Sequence, residues 1–240
     1  MPIKSPVGVL STPNSPLLPR LLQQMLDAGV SNICVLLDEK LQTEKDLRIW
    51  RERTEEAFKG GPNLSDFTSQ GLAVYFVNSH NAQDCIGLIE RLGLNLLING
   101  GTPRKLSKAL LQSVPQGVIN VHPGELPGYR GCSCVEWAIY NDDRICNTAH
   151  FMSEGYDEGA IIKTEAYDFK QGDTYTSIRV KVYQESLRLM TETVQMVLRK
   201  NLNPADGQPQ GLGVQFPPIP EEKMQLVLSK VASKSYKYMK

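Results

Sequence analysis

An α/β architecture, a largely parallel sheet with helices on both faces, is what this sequence predicts. Three observations carry that expectation. Apolar runs of strand length recur at Val7-Gly8-Val9-Leu10-Ser11, Ile33-Cys34-Val35-Leu36-Leu37, Ala73-Val74-Tyr75-Phe76-Val77 and Leu94 to Ile98. They are continuous rather than alternating, as in strands covered on both faces. Segments with helical spacing lie between them, and two strands joined through a helix are normally parallel neighbours.

Each element has a local reason. Thr12-Pro13-Asn14-Ser15-Pro16 turns the chain after the first strand, and Leu18, Leu21, Leu22, Met25 and Leu26 then recur at helical spacing up to a Gly29 stop. A charged segment from Leu41 to Lys59 predicts an exposed helix, broken by Gly60-Gly61-Pro62-Asn63. Residues Ala82 to Leu92 predict a helix before the fourth strand. Gly117-Val118-Ile119 leads into a fifth strand, Val135 to Tyr140 into a short helix, and Cys146 to Met152 and Ala160 to Phe169 into two more strands. Asp173 or Thr174 is placed to cap a long helix carrying Ile178, Val182, Leu189, Met190, Val194 and Val197. After Asn201 the composition turns to Pro and Gly. Residues 1–200 are therefore expected to form a catalytic-size domain, and 201–240 a tail of loop or hairpin plus a short helix from Glu221 to about Ser233.

Composition narrows the function. Lys and Arg total 26, Asp and Glu total 26, and the net charge is zero. That balance disfavours a general nucleic-acid partner, which needs a basic face. No apolar run approaches the about 20 residues that span a bilayer. Without a visible signal peptide, a cytoplasmic location and free thiols at Cys34, Cys85, Cys132, Cys134 and Cys146 are expected. Cys132, Cys134, Cys146 and His150 lack paired CxxC spacing, so no metal site is expected. His80, in a polar turn, is expected at the surface, and Trp137 in the packing of its helix.

Asn120 and His122 stand two apart at the end of the fifth strand, so they project to one face. Asp157 arrives from a separate Gly-flanked loop. An amide, an imidazole and a carboxylate together can polarise a carbonyl, hold an oxyanion and move a proton.

The run Asn120-Val121-His122-Pro123-Gly124-Glu125-Leu126-Pro127-Gly128-Tyr129-Arg130-Gly131, then Thr148-Ala149-His150-Phe151 and Asp157-Glu158-Gly159, resembles the folate-dependent formyltransferase family. That family includes glycinamide ribonucleotide transformylase, methionyl-tRNA formyltransferase and sugar-nucleotide N-formyltransferases. The resemblance is clearest over residues 94–170. It implies a Rossmann-like formyltransferase fold and 10-formyltetrahydrofolate as formyl donor, with no metal. It also implies roles: Asn120 holding the formyl oxygen, a charged His122 stabilising that oxygen, and Asp157 orienting His122 and relaying the amine's proton. By the same resemblance the folate would lie against Gly100, Gly101, Thr102, Arg104 and Leu106, and against Ser153, Glu154, Gly155 and Tyr156. Glu125, Tyr129, Arg130 and His150 would face the acceptor.

Departures from the family point to the acceptor. Ser11-Thr12-Pro13-Asn14-Ser15-Pro16 stands where the glycinamide ribonucleotide enzymes carry a Gly- and Ser-rich phosphate loop, and Pro13 and Pro16 each remove a backbone donor. Glu125 lies where many relatives have serine nearby, and Asn147 where many have glycine. The residues after the long helix are too few for the basic barrel of the tRNA enzymes, and the early first strand leaves no room for the hydrolases' N-terminal regulatory domain. The expected reaction is formyl transfer to a primary amine of a small molecule, leaning to an amino-sugar nucleotide, with a homodimer through the tail. The alternatives are glycinamide ribonucleotide or another amine as acceptor, hydrolysis of formyl-tetrahydrofolate, or folate binding without turnover.

Overall fold

The computed structural model describes residues 6–55 and 57–240. Its centre is a seven-stranded sheet built from β1 (Val7–Ser11), β2 (Ile33–Asp38), β3 (Ala73–Val77), β4 (Leu96–Asn99), β5 (Val118–His122), β7 (Ile145–Phe151) and β8 (Ile161–Tyr167). The order across the sheet is β3-β2-β1-β4-β5-β7-β8. Pairings from β3 through β5 are parallel, and the β5-β7 and β7-β8 pairings are antiparallel.

Alternate residues of the same strands feed opposite cores. Val7, Val9, Val35, Leu37, Leu96 and Ile98 pack with α1 (Leu18–Asp27) and α7 (Tyr175–Lys200). Leu10, Leu36 and Leu97 pack on the other face with α4 (Gln83–Arg91) and α5 (Lys108–Leu111). This two-sided burial is what the continuous apolar runs signal. A third core joins α6 (Cys134–Asn141) to α8 (Glu221–Ala232) and the last residues, with Trp137, Val227, Tyr236 and Met239 at its centre. Thr174 is the cap of α7: its hydroxyl accepts from the Ser177 N–H.

Several boundaries differ from the sequence expectation. Of the charged 41–59 segment only α2 (Glu44–Thr54) is helical, opened by a Thr43/Asp46 capping box and ended where Glu55 turns to φ 45°. The strand expected from Leu94 begins at Leu96, because the register starts with Val7 opposite Leu96 and Asn95 N–H bonds the Pro6 carbonyl. Two short helices, α3 (Leu64–Thr68) and α5, are too brief to show a period. The tail forms no hairpin among the described residues. Its strand β9 (Gln215–Phe216) pairs in parallel with β6 (Arg130–Gly131). Pro217, Pro218 and Pro220 follow β9 and lack the N–H groups that a return strand would need. No helix among the described residues is long and apolar enough to cross a membrane.

Candidate active site

The sheet order reverses between β1 and β4, so the loops leaving these neighbours diverge and open a crevice at the carboxyl end of the sheet. β5 ends at the same edge. Its antiparallel partner β7 places His150 directly opposite Asn120, and Thr148 opposite His122.

The amide of Asn120 is fixed from both sides. Asn99 Nδ2 donates to Asn120 Oδ1 at 3.0 Å, and Asn120 Nδ2 lies 3.1 Å from His150 Nε2. His150 Nδ1 stands 2.9 Å from the Phe151 carbonyl, which can only accept. Nδ1 therefore carries the proton and Nε2 accepts from Asn120. Burial pushes the His150 pKa down to about 4, in keeping with this neutral form.

His122 is set differently. Its Nε2 donates to the Tyr129 carbonyl at 2.8 Å, and its Nδ1 faces Asp157 Oδ1 at 3.4 Å. Burial drives its pKa below the ordinary histidine value, against the opposing pull of the Asp157 charge and the Tyr129 carbonyl. Both ring nitrogens thus face oxygen acceptors, the Tyr129 carbonyl and the Asp157 carboxylate. The side chain is 5% exposed and lies behind the cleft wall rather than on it.

Asp157 adopts φ 57°, the left-handed region that a non-glycine residue enters at some cost. Its Oδ2 accepts from Gly131 N–H at 2.9 Å. Its Oδ1 lies between two imidazoles, 3.4 Å from His122 Nδ1 and 3.9 Å from His150 Nε2. The carboxylate, the Asn120 amide and His150 all line one cleft of about 380 Å³.

Of the residues expected at the folate, Thr102, Arg104, Leu106, Ser153, Gly155 and Tyr156 line that cleft. Gly100, Gly101 and Glu154 do not. A side chain at Gly100 would strike Val9 Cγ1 at 2.6 Å, so its lack of one serves the close packing of two strands. Gly101, at φ 105°, shapes the turn beneath. Arg104 reaches back from the wall into a buried cluster, where its guanidinium grips both oxygens of Asp38 at 2.6 and 2.8 Å. His80 belongs to that cluster and is fully buried, contrary to the surface position its polar turn suggests. Its N–H bonds Asp38, and its ring bonds Thr102 Oγ1 and the Leu36 carbonyl.

Of the four residues expected at the acceptor, only His150 reaches the cleft. The Tyr129 hydroxyl donates to Asp143 while its ring stacks on Phe216. Arg130 is buried against the tail. Glu125 is exposed, and its charge acts on the Cys146 thiol at the far end of β7.

The Formyl transferase family profile matches residues 22–194. The chain belongs to the formyl transferase family. A methionyl-tRNA formyltransferase from Clostridium tetani is 26% identical over 123 residues, 51% of this chain and 40% of that protein. Among solved structures, glycinamide ribonucleotide transformylase 1 from Symbiobacterium toebii has a TM-score of 0.61 at 19% identity, covering 88% of this chain and 96% of its own. A sugar N-formyltransferase from Shewanella sp. FDAARGOS_354 has a TM-score of 0.60 at 16% identity, covering 94% and 87%. The chain spans less than half the length of the curated relatives it matches. The structural likenesses therefore show the fold of a formyl transferase, and the mostly parallel sheet agrees with it.

The formyl donor of the family is 10-formyltetrahydrofolate. Two amides, the His150 imidazole, hydroxyl groups, the charged Arg104, Lys105 and Asp157, and the apolar Leu106 and Met152 form the cleft's lining. Such a mixture suits a flat heteroaromatic ring with polar edges. Asn99, Lys105 and Met152 are lining residues that the sequence expectation omits. Asn99 had a legible signal: it ends the apolar run Leu96-Leu97-Ile98 just as Asn120 follows Val118-Ile119, and the two runs pair side by side. Lys105 and Met152 carried none.

Proposed function

We propose that this formyl transferase moves a formyl group from 10-formyltetrahydrofolate to a primary amine of a small molecule, with an amino-sugar nucleotide as the favoured acceptor. The supporting observation is the convergence of Asn120, His150 and Asp157 on one cleft wall, with His122 behind Asp157. Bound donor would supply an activated formyl carbon. The second Asn120 N–H, beyond the one engaged with His150, is available to hold the formyl oxygen. As the amine's bond to the formyl carbon forms and the folate nitrogen's bond to that carbon breaks, Asp157 Oδ1 is placed to take the proton from the amine and return it to the departing folate nitrogen, with His122 Nδ1 beside it. The Tyr129 carbonyl keeps a proton on Nε2 and so turns Nδ1 towards Asp157.

The acceptor preference rests on the loop after β1. Both ends of the Asn14 amide are taken by Gln42, and the Ser11 and Ser15 hydroxyls by the Gly100 carbonyl. Few donors remain for a phosphate, which disfavours glycinamide ribonucleotide. The test is incubation with 10-formyltetrahydrofolate, first alone and then with a panel of amino-sugar nucleotides and glycinamide ribonucleotide. The mass gain of one formyl group on an amino-sugar nucleotide is expected. Release of formate without acceptor would replace transfer by hydrolysis, and gain on glycinamide ribonucleotide alone would overturn the sugar assignment.

A further inference from the structure

The tail run Gln208-Pro209-Gln210-Gly211-Leu212-Gly213 crosses directly over the Asp157 loop. It is pinned at both ends by backbone bonds. Gln208 and Ile161 exchange N–H and carbonyl bonds at 2.8 Å, and Val214 N–H bonds the Pro127 carbonyl at 3.2 Å while its own carbonyl accepts from Arg130 N–H at 2.9 Å. Between these pins lies Gln210. Its Nε2 donates to the carbonyls of Asp157 at 3.1 Å and Gly159 at 2.6 Å. Its Oε1 accepts from Arg130 Nε at 3.2 Å and from a terminal nitrogen of the same guanidinium at 2.8 Å. A carboxamide has two N–H groups and two acceptor sites, and all four are engaged.

Arg130 is itself 8% exposed, so its guanidinium keeps little freedom to release Gln210. The tail reaches Asp157 by a second route as well. β9 pairs with β6, and the Gly131 N–H of β6 holds Asp157 Oδ2.

We propose that Gln210 is a positioning residue of the active site: held by Arg130, it fixes the backbone of the Asp157 loop and so aims the Asp157 carboxylate between His122 and His150. This rests on the formyl-transfer function proposed above. A left-handed residue such as Asp157 persists only where its surroundings over-determine it, and Gln210 supplies two of those constraints.

The test compares Gln210→Glu with wild type. The glutamate keeps the side chain's shape and its bond to Arg130, but turns an oxygen towards two carbonyls. Its melting temperature should hold, its KM for the donor should stay unchanged, and its kcat should fall by about ten- to a hundredfold, as small misplacements of catalytic groups do. Leu212→Ala, a fully exposed neighbour on the same strap, should leave kcat unchanged. A second readout needs no turnover. The chain has three histidines, so the His122 imidazole can be followed by NMR, and its signal should move in Gln210→Glu in the direction it moves in Asp157→Asn. Should Gln210→Glu fail to fold, Gln210→Met, which keeps the length and removes both donors, replaces it. A normal kcat, or a His122 signal indistinguishable from wild type, overturns the proposal. A wild-type protein inactive with every acceptor overturns the functional assignment instead, and the imidazole signal still decides the role of Gln210.

Discussion

His122 Nδ1 faces Asp157 Oδ1 at 3.4 Å while His122 Nε2 is committed to the Tyr129 carbonyl at 2.8 Å. The imidazole has one nitrogen locked as donor and the other turned to a carboxylate. Asp157→Asn keeps the shape and an oxygen for Gly131 N–H, yet removes the carboxylate proposed to take the amine's proton. Steady-state kinetics should show kcat reduced by about 10²- to 10⁴-fold, with the donor KM close to wild type. A kcat within a factor of two of wild type would remove Asp157 from the chemistry.

Asn120 is held by Asn99 on one side and His150 on the other, so its amide is oriented before any ligand arrives. Preorganised donors of this kind contribute more to catalysis than to ground-state binding. Asn120→Ala is expected to lower kcat by about 10²- to 10³-fold with circular dichroism unchanged. Asn99→Ala should cost less, because it leaves the amide in place and frees only its rotation. Equal losses in the two variants would argue that Asn99 meets the substrate itself.

Asp38 anchors the loop that walls the cleft. Burial alone would raise the Asp38 carboxyl pKa, but the Arg104 guanidinium and the N–H groups of His80 and Lys40 hold it below the usual carboxylate range. Asp38→Asn releases Arg104, which is part-exposed and can turn to water, so the stability loss should stay at about 1–3 kcal/mol. The kinetic effect should appear in the donor KM, raised on the order of tenfold, the equivalent of about 1.4 kcal/mol, while kcat changes little. A kcat loss without a KM change would place Arg104 among the reacting groups.

The sheet was legible because strands buried on both faces leave continuous apolar runs, and Asn120, His122 and Asp157 because their spacing forms a motif. What stayed hidden depends on pairing at a distance. His80 sits in a turn that is polar by composition, and only its contacts with Asp38 and Thr102 make it a core residue. Tyr129 and Arg130 belong to the motif that carries the family resemblance, yet in the structure they bond Asp143, Gln210 and Gly211 rather than lining the cleft. A motif records that residues matter together, and it does not say which of them point into the cleft. The role of Gln210 was invisible for the same reason, since its three partner residues lie 51 to 80 residues away along the chain.

Tyr129 offers a direct check on that distinction. Its hydroxyl bonds Asp143 and Asn141, and its ring stacks on Phe216 with centroids 4.9 Å apart. Tyr129→Phe should preserve the stack and lose one to two hydrogen bonds, about 1–2 kcal/mol. For a chain of this size that lowers the melting temperature by about 2–8 °C. Activity at 25 °C should be unchanged. A selective rise in acceptor KM with normal stability would return Tyr129 to the acceptor site.

The three buried histidines make the stability of the fold depend on pH. His80, His122 and His150 are all buried, and burial is the main cause lowering each pKa below its usual value, to about 4 for His150. In the unfolded chain they take up protons near pH 6.5, whereas in the folded chain they resist until lower pH. Between those values the unfolded state binds more protons, so stability rises with pH and falls as pH drops. Each histidine contributes up to about 1.4 kcal/mol per pH unit in that window. Above about pH 7 none is protonated in either state, and their contribution is flat. Urea unfolding at intervals from pH 7.5 down to 4.5 should therefore show a plateau followed by a steep decline beginning near pH 6.5. His80→Gln, which lies outside the cleft wall, should shallow that decline by about a third of the histidine contribution. A stability profile that stays level down to pH 5 would mean that the buried imidazoles accept protons without cost, and the neutral form assigned to His150 would fall with it.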